Sequence, residues 1–458
     1  MSADGIELFG SLYGTPAMKD VFSARARVRK LAAVEAALAR AQARLGIVPL
    51  AAADGIVAAA DQADDFDLAA LAAQSEIVGY PIVPLTKELA RRAGPEASGF
   101  VHWGATTQDV LDTALVLQLR EGLALLEVDL RATIEALAQR AERHRGDVMP
   151  GRTHLQHALP ITFGYKVAVW LAPLLEHLAR FDALRARVLR VQFGGAVGTL
   201  ASLGNHGREV TVALAEELAL AVPDAPWHAD RSAFAEVATF LGVVCGSLAK
   251  FAGDVVLLMQ TEVAEVFEPY APGRAGSSTM PQKRNPIASE YVLASTRGVH
   301  ALVPVVLAAM AGDHERSTGP WQSEEIALPQ ILVLASAAFA HAKAIAQGMT
   351  VDTARMRRNL DATNGLIMAE AVAMALAESV GRAEAHHLVE QACTVAIERE
   401  RPLIDVLAEE PAVTRQLDRR RLAELFDPAR YVGESSAVVD RVLTRYSEVA
   451  PGPRSVNV

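Results

Sequence analysis

The chain of 458 residues carries a formal net charge of −10, which argues against a nucleic-acid partner because phosphates require a basic face. Hydrophobic residues make up 51% of the sequence but aromatic residues only 5%, and this surplus of Ala, Leu and Val suits long, closely packed helices better than sheets. A chain of this length exceeds one small core, so we expect one large helical domain with smaller flanking parts.

Cysteine usage and the N-terminal sequence indicate where the protein works. Only Cys245 and Cys393 occur, and two thiols in so long a chain fit a reducing compartment better than a disulfide framework. The residues Met1–Gly5 lack a basic region followed by an apolar one, so no secretory signal is predicted. A membrane span needs about 18 uncharged apolar residues, and we identify no convincing run of that kind. We therefore expect a cytoplasmic protein with no membrane partner.

Residues 1–105 are predicted to form an N-terminal helical domain. Apolar positions recur at helical spacing from about residue 21 to residue 45, with Arg and Lys on the other face. The stretch 79–84, Gly-Tyr-Pro-Ile-Val-Pro, is a clear break because glycine and proline both interrupt a helix. The helices of this domain are therefore expected to be short.

Residues 106–360 are predicted to form a central bundle of long helices. Helix-like stretches are expected at about 108–145, 162–190, 231–266, 287–310 and 330–347. Thr107 is a possible N-cap of the first, and Pro173 and Pro304 are expected to bend the second and fourth. Several stretches are apolar on more than one face, and such helices need partners on several sides. We therefore predict an all-α bundle that is completed by oligomerisation, as a homotetramer with active sites shared between subunits.

Residues 361–458 are predicted to form a C-terminal helical domain. Its helix-like stretches are shorter, with breaks at Gly381 and Pro402 and a mixture of acidic and basic residues. The last residues, 451–458, are expected to be a frayed tail.

A polar segment, Gly276–Pro286, lies between two of the long stretches and reads Gly-Ser-Ser-Thr-Met-Pro-Gln-Lys-Arg-Asn-Pro. Two prolines and a glycine prevent a continuous helix there. Small residues let backbone N–H groups approach an anion, a serine offers a proton, and Lys283 supplies positive charge. The segment therefore indicates a site for an anionic substrate, although composition does not choose between Ser277 and Ser278.

Two further polar blocks carry candidate site residues. The block 102–109 reads His-Trp-Gly-Ala-Thr-Thr-Gln-Asp, and its Thr106–Gln108 cluster opens a helix, which is a ready anion site. Simple capping by Thr107 or Asp109 explains that cluster equally well. The block 151–157 reads Gly-Arg-Thr-His-Leu-Gln-His. No carboxylate or cysteine accompanies its two histidines at a zinc-binding spacing, so no metal site is predicted.

The three polar blocks resemble the signature regions of the fumarase/aspartase superfamily and occur in the same order along the chain. The resemblance covers nearly the whole sequence and implies a three-part, all-α fold with a central long-helix bundle. It implies that Ser278 is the catalytic proton-transfer serine and that His154 acts in proton transfer or contacts the substrate. It further implies that Glu290 pairs with His154, orients it and raises its basicity.

Members of this superfamily make or quench a carbanion next to a carboxylate and stabilise it with fixed donors. The candidate substrate-binding residues lie on the first and third blocks, with one arginine outside them: Thr106, Thr107, Gln108, Lys283, Asn285 and Arg316. Lys283 and Asn285 offer one charged and one neutral donor to a carboxylate. Arg316 is a candidate for a second carboxylate and is equally explained as a surface ion-pair residue. The resemblance requires no metal or organic cofactor, so the expected partner is a small di- or tricarboxylate substrate.

Three shorter segments are most similar to the bacterial 3-carboxy-cis,cis-muconate cycloisomerase branch of the superfamily. They are Gln-Phe-Gly-Gly-Ala at 192–196, Ala-His-His-Leu at 385–388 and Asp-Pro-Ala-Arg-Tyr at 427–431. In that branch one carboxylate oxygen adds across a conjugated double bond, which closes a lactone. The resemblance then implies that Ser278 or His154 handles protonation of the resulting carbanion.

Other functions stay open at this point. Bacterial members of the branch can carry tryptophan where this chain has His154, whereas fumarate-forming lyases typically keep histidine. A lyase that removes an amine or nitro group from a substituted succinate therefore fits as well. Adenylosuccinate lyases usually carry a His-Asp-Val segment before the first block, and residues 75–81 lack that histidine, which argues against a nucleotide substrate. A non-catalytic scaffold could lose Ser278, His154 or Lys283 without penalty, yet all three are present.

Overall fold

The computed structural model describes residues 7–270, 280 and 282–450, which form a mostly helical protein with two small antiparallel sheets. The N-terminal helices are α1 (Pro16–Val21), α2 (Ala24–Arg44), α3 (Leu50–Ala60), α4 (Leu68–Val78) and α5 (Ile82–Ala93). The central elements are α6 (Thr107–Arg143), β1 (Val148–Thr153), β2 (Gln156–Thr162), α7 (Phe163–Val188), α8 (Gly207–Leu218), α9 (Ser232–Leu258), β3 (Val266–Phe267), α10 (Ile287–Ala309), α11 (Glu324–Gly348) and β4 (Thr350–Val351). The C-terminal helices are α12 (Thr353–Asp361), α13 (Ala369–Val380), α14 (Arg382–Glu398), α15 (Leu403–Glu409), α16 (Pro411–Thr414), α17 (Arg419–Leu425) and α18 (Ser435–Val449). The all-α fold class is confirmed.

The five long helices α6, α7, α9, α10 and α11 pack against one another as an up-and-down bundle. Helix α6 begins at the end of the bundle that we call the N-cap end, where the loops after α7 and α10 also lie. It finishes at the opposite end, which we call the hairpin end because β1 and β2 lie there. Helix α9 starts at the N-cap end and, with 27 residues, extends for about 40 Å at 1.5 Å per residue. The two ends are therefore separated by roughly the length of that helix.

The β1–β2 hairpin, which the sequence did not predict, connects α6 to α7 at the hairpin end. The two residues at its tip, His154 and Leu155, have φ of 50° and 63°, as in a type I′ turn. Gly164, in the first turn of α7, donates its N–H to the carbonyl of His144 at 2.9 Å. A Cβ at Gly164 would lie 2.6 Å from the carbonyl oxygen of Ala141, so only glycine fits this close approach of α7 to α6.

Two predicted helix boundaries in the bundle are wrong. Helix α9 ends at Leu258 rather than near residue 266, and the chain then passes through Ala264, with a left-handed φ of 52°, into β3, which pairs with β4. Helix α11 begins at Glu324 rather than after Pro329. Pro329 is accommodated as the sixth residue of that helix, where its missing N–H leaves only one carbonyl of the turn before it without a helical partner.

Three hydrophobic clusters correspond to the central bundle, the N-terminal helices and the C-terminal helices. The boundaries at 105 and 360 stay predictions, since packing crosses both of them. Val110–Leu117 of α6 contributes to the N-terminal cluster, and Val439 of α18 belongs to the central one. Cys245 and Cys393 are both free.

The expectation that no stretch is long and apolar enough to cross a membrane is wrong by length and composition, since three helical stretches qualify: Ser232–Leu258, Ile287–Ala309 and Pro320–Gly348. The same stretches supply the core of the bundle, where Leu241, Val299 and Leu328 are fully buried. However, only 50%, 33% and 56% of their apolar windows are buried within the chain. The bundle therefore leaves apolar helix faces uncovered, and the absence of a membrane partner stays a prediction.

Candidate active site

The carboxylate of Asp109 organises the N-cap end of the bundle. It is 1% exposed and accepts the backbone N–H groups of Gly194 and Gly195, each at 2.9 Å, and that of Thr106 at 3.0 Å. The Nε2 of His228 lies 2.6 Å from the same carboxylate. Thr106, and not Thr107, is therefore the N-cap of α6, and a buried anion fixes that helix start to the glycine-containing loop after α7.

Gln108 and Arg316, two of the predicted substrate-binding residues, are brought together by this arrangement. The buried Gln108 amide donates to the carbonyl of His228 at 3.0 Å, and its oxygen accepts from Nε of Arg316 at 3.3 Å. Arg316 also donates to the carbonyl of Gly195 at 3.3 Å. These contacts place Arg316 beside the half-buried Thr106 and Thr107. Gln108 and Arg316 are separated by 208 positions in the sequence.

His102 is a titratable residue of this end to which the sequence assigned no role. Its Nδ1 lies 2.6 Å from Oε1 of Glu35, and its backbone N–H donates to the other carboxylate oxygen at 3.1 Å. Burial opposes a positive charge on the imidazole. The negative charge of Glu35 and its hydrogen bond, together with Asp109, outweigh that effect and raise the pKa of His102 above its ordinary value. The N-cap end therefore holds an imidazole that favours the cationic form, close to the residues predicted to bind carboxylates.

A buried ion cluster joins α6 to the starts of α9 and α11. Arg231 donates to both carboxylate oxygens of Asp112, at 2.7 and 2.9 Å, and to Glu324 at 3.0 Å. Burial, with the nearby negative charge of Asp112, raises the pKa of Glu324 to about 7 even though Arg231 opposes the shift. The segment that carries Arg316 therefore leads, through a short 3-10 helix at Pro320–Ser323, into α11, whose first residue is held inside the protein.

His154 projects from the tip of the hairpin at the opposite end of the bundle, and its side chain is exposed. The base of the hairpin is fixed by Arg152, which forms a two-pronged ion pair with the fully buried Glu265 at 2.7 and 2.9 Å. Asn359 donates to Glu265 at 2.7 Å as well. Burial, followed by the positive charge of Arg152, lowers the pKa of the neighbouring His157. The tip histidine is thus presented to solvent by a well-anchored strand pair.

The polar segment Gly276–Pro286, called the signature segment from here on, has its described part at the hairpin end as well. Lys283 is exposed and Asn285 is half-buried, and both precede the first turn of α10, where Glu290 is exposed. Ser278, the predicted proton-transfer residue, lies outside the described residues, as does Ser277. Among the described residues, His154 and Glu290 share no hydrogen bond within the chain, so their pairing stays a prediction.

The predicted site residues therefore fall into two groups. Thr106, Thr107, Gln108 and Arg316 lie at the N-cap end, whereas His154, Lys283, Asn285 and Glu290 lie at the hairpin end. The long bundle helices separate the two groups by about 35–40 Å, since α10 has 23 residues and α9 has 27. Within the described ranges no group of three or more His, Cys, Asp or Glu side chains is placed to hold a metal ion.

Known proteins are similar to this chain in sequence and in fold. Residues 13–300 match the family described as "Lyase", and residues 365–442 match "Adenylosuccinate lyase C-terminus". A 3-carboxy-cis,cis-muconate cycloisomerase of Pseudomonas aeruginosa is 48% identical over 96% of this chain and 96% of its own length.

Two solved structures are similar over nearly the whole chain. The 3-carboxy-cis,cis-muconate lactonizing enzyme from Pseudomonas putida has a TM-score of 0.92 at 46% identity, covering 97% of this chain and 99% of its own. A fumarate lyase from Mesorhizobium sp. BNC1 has a TM-score of 0.88, also at 46% identity, with 94% and 98% covered. The family match extends over more than half of the chain, and the relatives align along nearly all of it. This chain belongs to the fumarase/aspartase superfamily.

Proposed function

We propose that this protein is a cycloisomerase that closes 3-carboxy-cis,cis-muconate to a carboxymuconolactone. The observation that carries the proposal is the 48% identity, over 96% of both chains, to a bacterial enzyme of that name. It is supported by side chains that could hold a polyanion in spite of the net charge of −10. Lys283 and Asn285 lie at the hairpin end, Arg316 and Gln108 lie at the N-cap end, and each pair combines a charged and a neutral donor.

The reaction is an internal addition without a departing group. A carboxylate oxygen of the substrate forms a C–O bond with a carbon of the conjugated diene, and the electron pair of that double bond moves to the carbon next to another carboxylate. Lys283 and Asn285 stabilise the resulting aci-carboxylate as fixed donors. Ser278 or His154 then handles protonation of the carbon, a step that contributes about 10²–10⁴-fold to the rate. Neither a metal nor an organic cofactor takes part in this proposal.

A complete site requires more than one copy of the chain in this proposal. The two groups of candidate residues lie about 35–40 Å apart along the bundle, which is too far for one small substrate to bridge. The uncovered faces of α9 and α10 include exposed Val243, Leu257, Val305 and Leu307, which suit contacts with other bundles. A homotetramer in which neighbouring bundles run antiparallel brings an N-cap end beside a hairpin end.

Complementation between subunits tests the shared site. Gln108→Ala and Lys283→Ala each remove a candidate from a different end, and each is expected to abolish most activity alone. After the two variants are unfolded together and reassembled, about a quarter of the sites regain both intact groups by random mixing, so activity returns. If both groups come from one subunit, no site regains both and activity stays absent. Sizing is expected to give a species near four times 48.8 kDa, and a monomer would contradict the tetramer.

A fumarate-forming lyase is the second candidate, and two observations favour it. His154 is histidine, as in fumarate-forming enzymes, and the fumarate lyase from Mesorhizobium is as similar in sequence as the lactonizing enzyme, at 46% identity. Such an enzyme would split an amine or nitro group from a substituted succinate.

A substrate panel followed by ultraviolet absorbance separates these candidates. It contains 3-carboxymuconate, nitrosuccinate, adenylosuccinate, argininosuccinate and other 2-substituted succinates. Loss of the diene absorbance is the expected result. Fumarate formed from any succinate, with the muconate untouched, would replace the cycloisomerase with a lyase. Turnover of any member of the panel, lost in Ser278→Ala while the helical circular dichroism stays intact, excludes a non-catalytic scaffold.

A further inference from the structure

The residues on either side of the signature segment hold each other directly. Glu268 follows β3, is 5% exposed, and points its carboxylate at the start of α10. One oxygen accepts the N–H of Ala288 at 2.9 Å and the other accepts the N–H of Ser289 at 2.7 Å. A carboxylate from 20 positions earlier in the chain therefore caps this helix.

The sequence next to α10 provides no side chain that caps the helix, and Glu268 takes that role. The N-cap position of α10 is Pro286, which makes no side-chain cap hydrogen bond. The first backbone bond of the helix joins the N–H of Glu290 to the carbonyl of Pro286 at 2.9 Å. The N–H groups before it need acceptors from elsewhere, and a carboxylate at this end of a helix is also favoured by the helix dipole. Glu268 supplies both effects inside the protein.

Arg284 makes a second, independent connection between the same two stretches. Its guanidinium lies 5.1 Å from the ring centroids of both Phe267 and Tyr270. It also donates to the backbone carbonyl of Glu268 at 3.4 Å. Because Arg284 lies between Lys283 and Asn285 in the sequence, its position constrains both neighbours.

We propose that Glu268 is a positioning residue of the active site. Its carboxylate holds the first turn of α10, and with Arg284 it fixes the places from which Lys283, Asn285 and Glu290 reach the substrate. The proposal rests on the proposed function only through the roles of those three side chains. The geometric part, a buried carboxylate that orders residues 283–290, is independent of which dicarboxylate or tricarboxylate is bound.

Glu268→Gln tests the proposal in the full-length oligomer. The amide has the same shape but keeps one acceptor and turns an NH₂ group toward the second backbone N–H. Rates are measured at a temperature where circular dichroism shows the variant fully folded. With 3-carboxymuconate, kcat is expected to fall by about 10²-fold, because a misplacement of catalytic groups by about 1 Å has such effects. The change in KM is expected to be smaller than the change in kcat. Amide hydrogen exchange of the peptide 287–292 is expected to rise at least about tenfold. Asp67→Asn is the control, since the exposed Asp67 also accepts two backbone N–H groups at the start of α4, those of Ala69 and Ala70, but through a single oxygen, and it should change neither value.

Each remaining outcome decides the matter. A folded Glu268→Gln enzyme with wild-type kcat would overturn the proposal, and so would a low kcat with unchanged exchange at 287–292. If Glu268→Gln does not fold, Glu268→Asp is measured in the same way, and failure of both to fold would make the residue structural. If the wild-type enzyme leaves 3-carboxymuconate untouched, the proposed substrate is wrong, while the exchange measurement still decides whether Glu268 orders the segment.

Discussion

The imidazole Nε2 of His228 lies 2.6 Å from Oδ1 of Asp109, and both side chains are buried. The same carboxylate accepts three backbone N–H groups. A single buried anion thus joins the start of α6, the loop after α7 and the segment that leads into α9. All three elements also surround Gln108 and Arg316, so this contact decides the geometry of the N-cap end.

Asp109→Asn is expected to lower the free energy of unfolding by about 2–4 kcal/mol, because at least one buried donor loses its acceptor. Urea denaturation followed by circular dichroism at fixed protein concentration measures the change. Asp67→Asn, which alters an exposed helix cap, is expected to cost no more than about 1 kcal/mol. A loss in Asp109→Asn below that of the control would show that the buried carboxylate does not hold these elements together.

The pH dependence of stability should reflect Glu324. Its pKa is raised to about 7 in the folded protein, above its ordinary value of 4.5, so the folded state retains a proton that the unfolded state releases. The stability that this proton contributes is present below about pH 4.5 and is lost as the pH rises to about 7, by up to roughly 3 kcal/mol.

Glu324→Gln removes this contribution, so the variant should lose less stability than the wild type between pH 4.5 and 7. Denaturation at a series of pH values measures both slopes. The control is Glu236→Gln, whose carboxylate pairs with an exposed Arg187 and should leave the slope unchanged. Parallel curves for the wild type and Glu324→Gln would contradict a raised pKa.

Gly164→Ala is expected to destabilise the bundle at the hairpin end. The new methyl would lie 2.6 Å from the carbonyl oxygen of Ala141 and 2.8 Å from the Cα of Arg145. Backbone atoms must move to accept it, at a cost of about 1–3 kcal/mol. Gly146→Ala is the matched control, because a Cβ there meets nothing within 4 Å, and its effect should stay within about 0.5 kcal/mol. Equal thermal stability of the two variants would refute the close approach of α7 to α6.

His154→Asn is expected to lower kcat by about 10²–10⁴-fold if the imidazole transfers a proton. Its side chain is exposed, so the melting temperature should stay unchanged. Steady-state rates and circular dichroism measure the two effects, and His387→Asn, another exposed histidine, is the control. Full activity in His154→Asn would contradict proton transfer by the imidazole and leave that step to Ser278.

The sequence predicted the long helices well because their apolar positions continue for many turns. The predicted start of α6, near Gln108, lies within one residue of the observed start at Thr107. Local composition was sufficient to identify the polar blocks. The sequence did not predict the hairpin, whose tip requires left-handed φ at His154 and Leu155. Leucine disfavours that conformation, and both side chains are exposed, so the pairing of Thr153 with Gln156 in the flanking strands must hold the turn.

Contacts between distant residues explain what the sequence missed at the site. Glu35 pairs with His102 across 67 positions, and Glu268 caps a helix that begins beyond the signature segment. No local sequence pattern distinguishes either carboxylate from an ordinary solvent-exposed charge on a helix or loop. Both are buried only in the folded protein. By contrast, Arg316 was a weak candidate in the sequence, and its contact with Gln108 now places it among the other N-cap end residues.

In the proposed reaction, C–O bond formation closes the lactone and the enzyme then protonates the resulting carbanion. The most direct test is the conversion of 3-carboxy-cis,cis-muconate in D₂O, followed by NMR. The expected product is a lactone with the complete carbon skeleton of the substrate and a single deuterium on the carbon next to a carboxylate, in one stereochemical configuration. The proposed lactone closure would be contradicted if unchanged muconate were recovered from an enzyme preparation that forms fumarate from a substituted succinate.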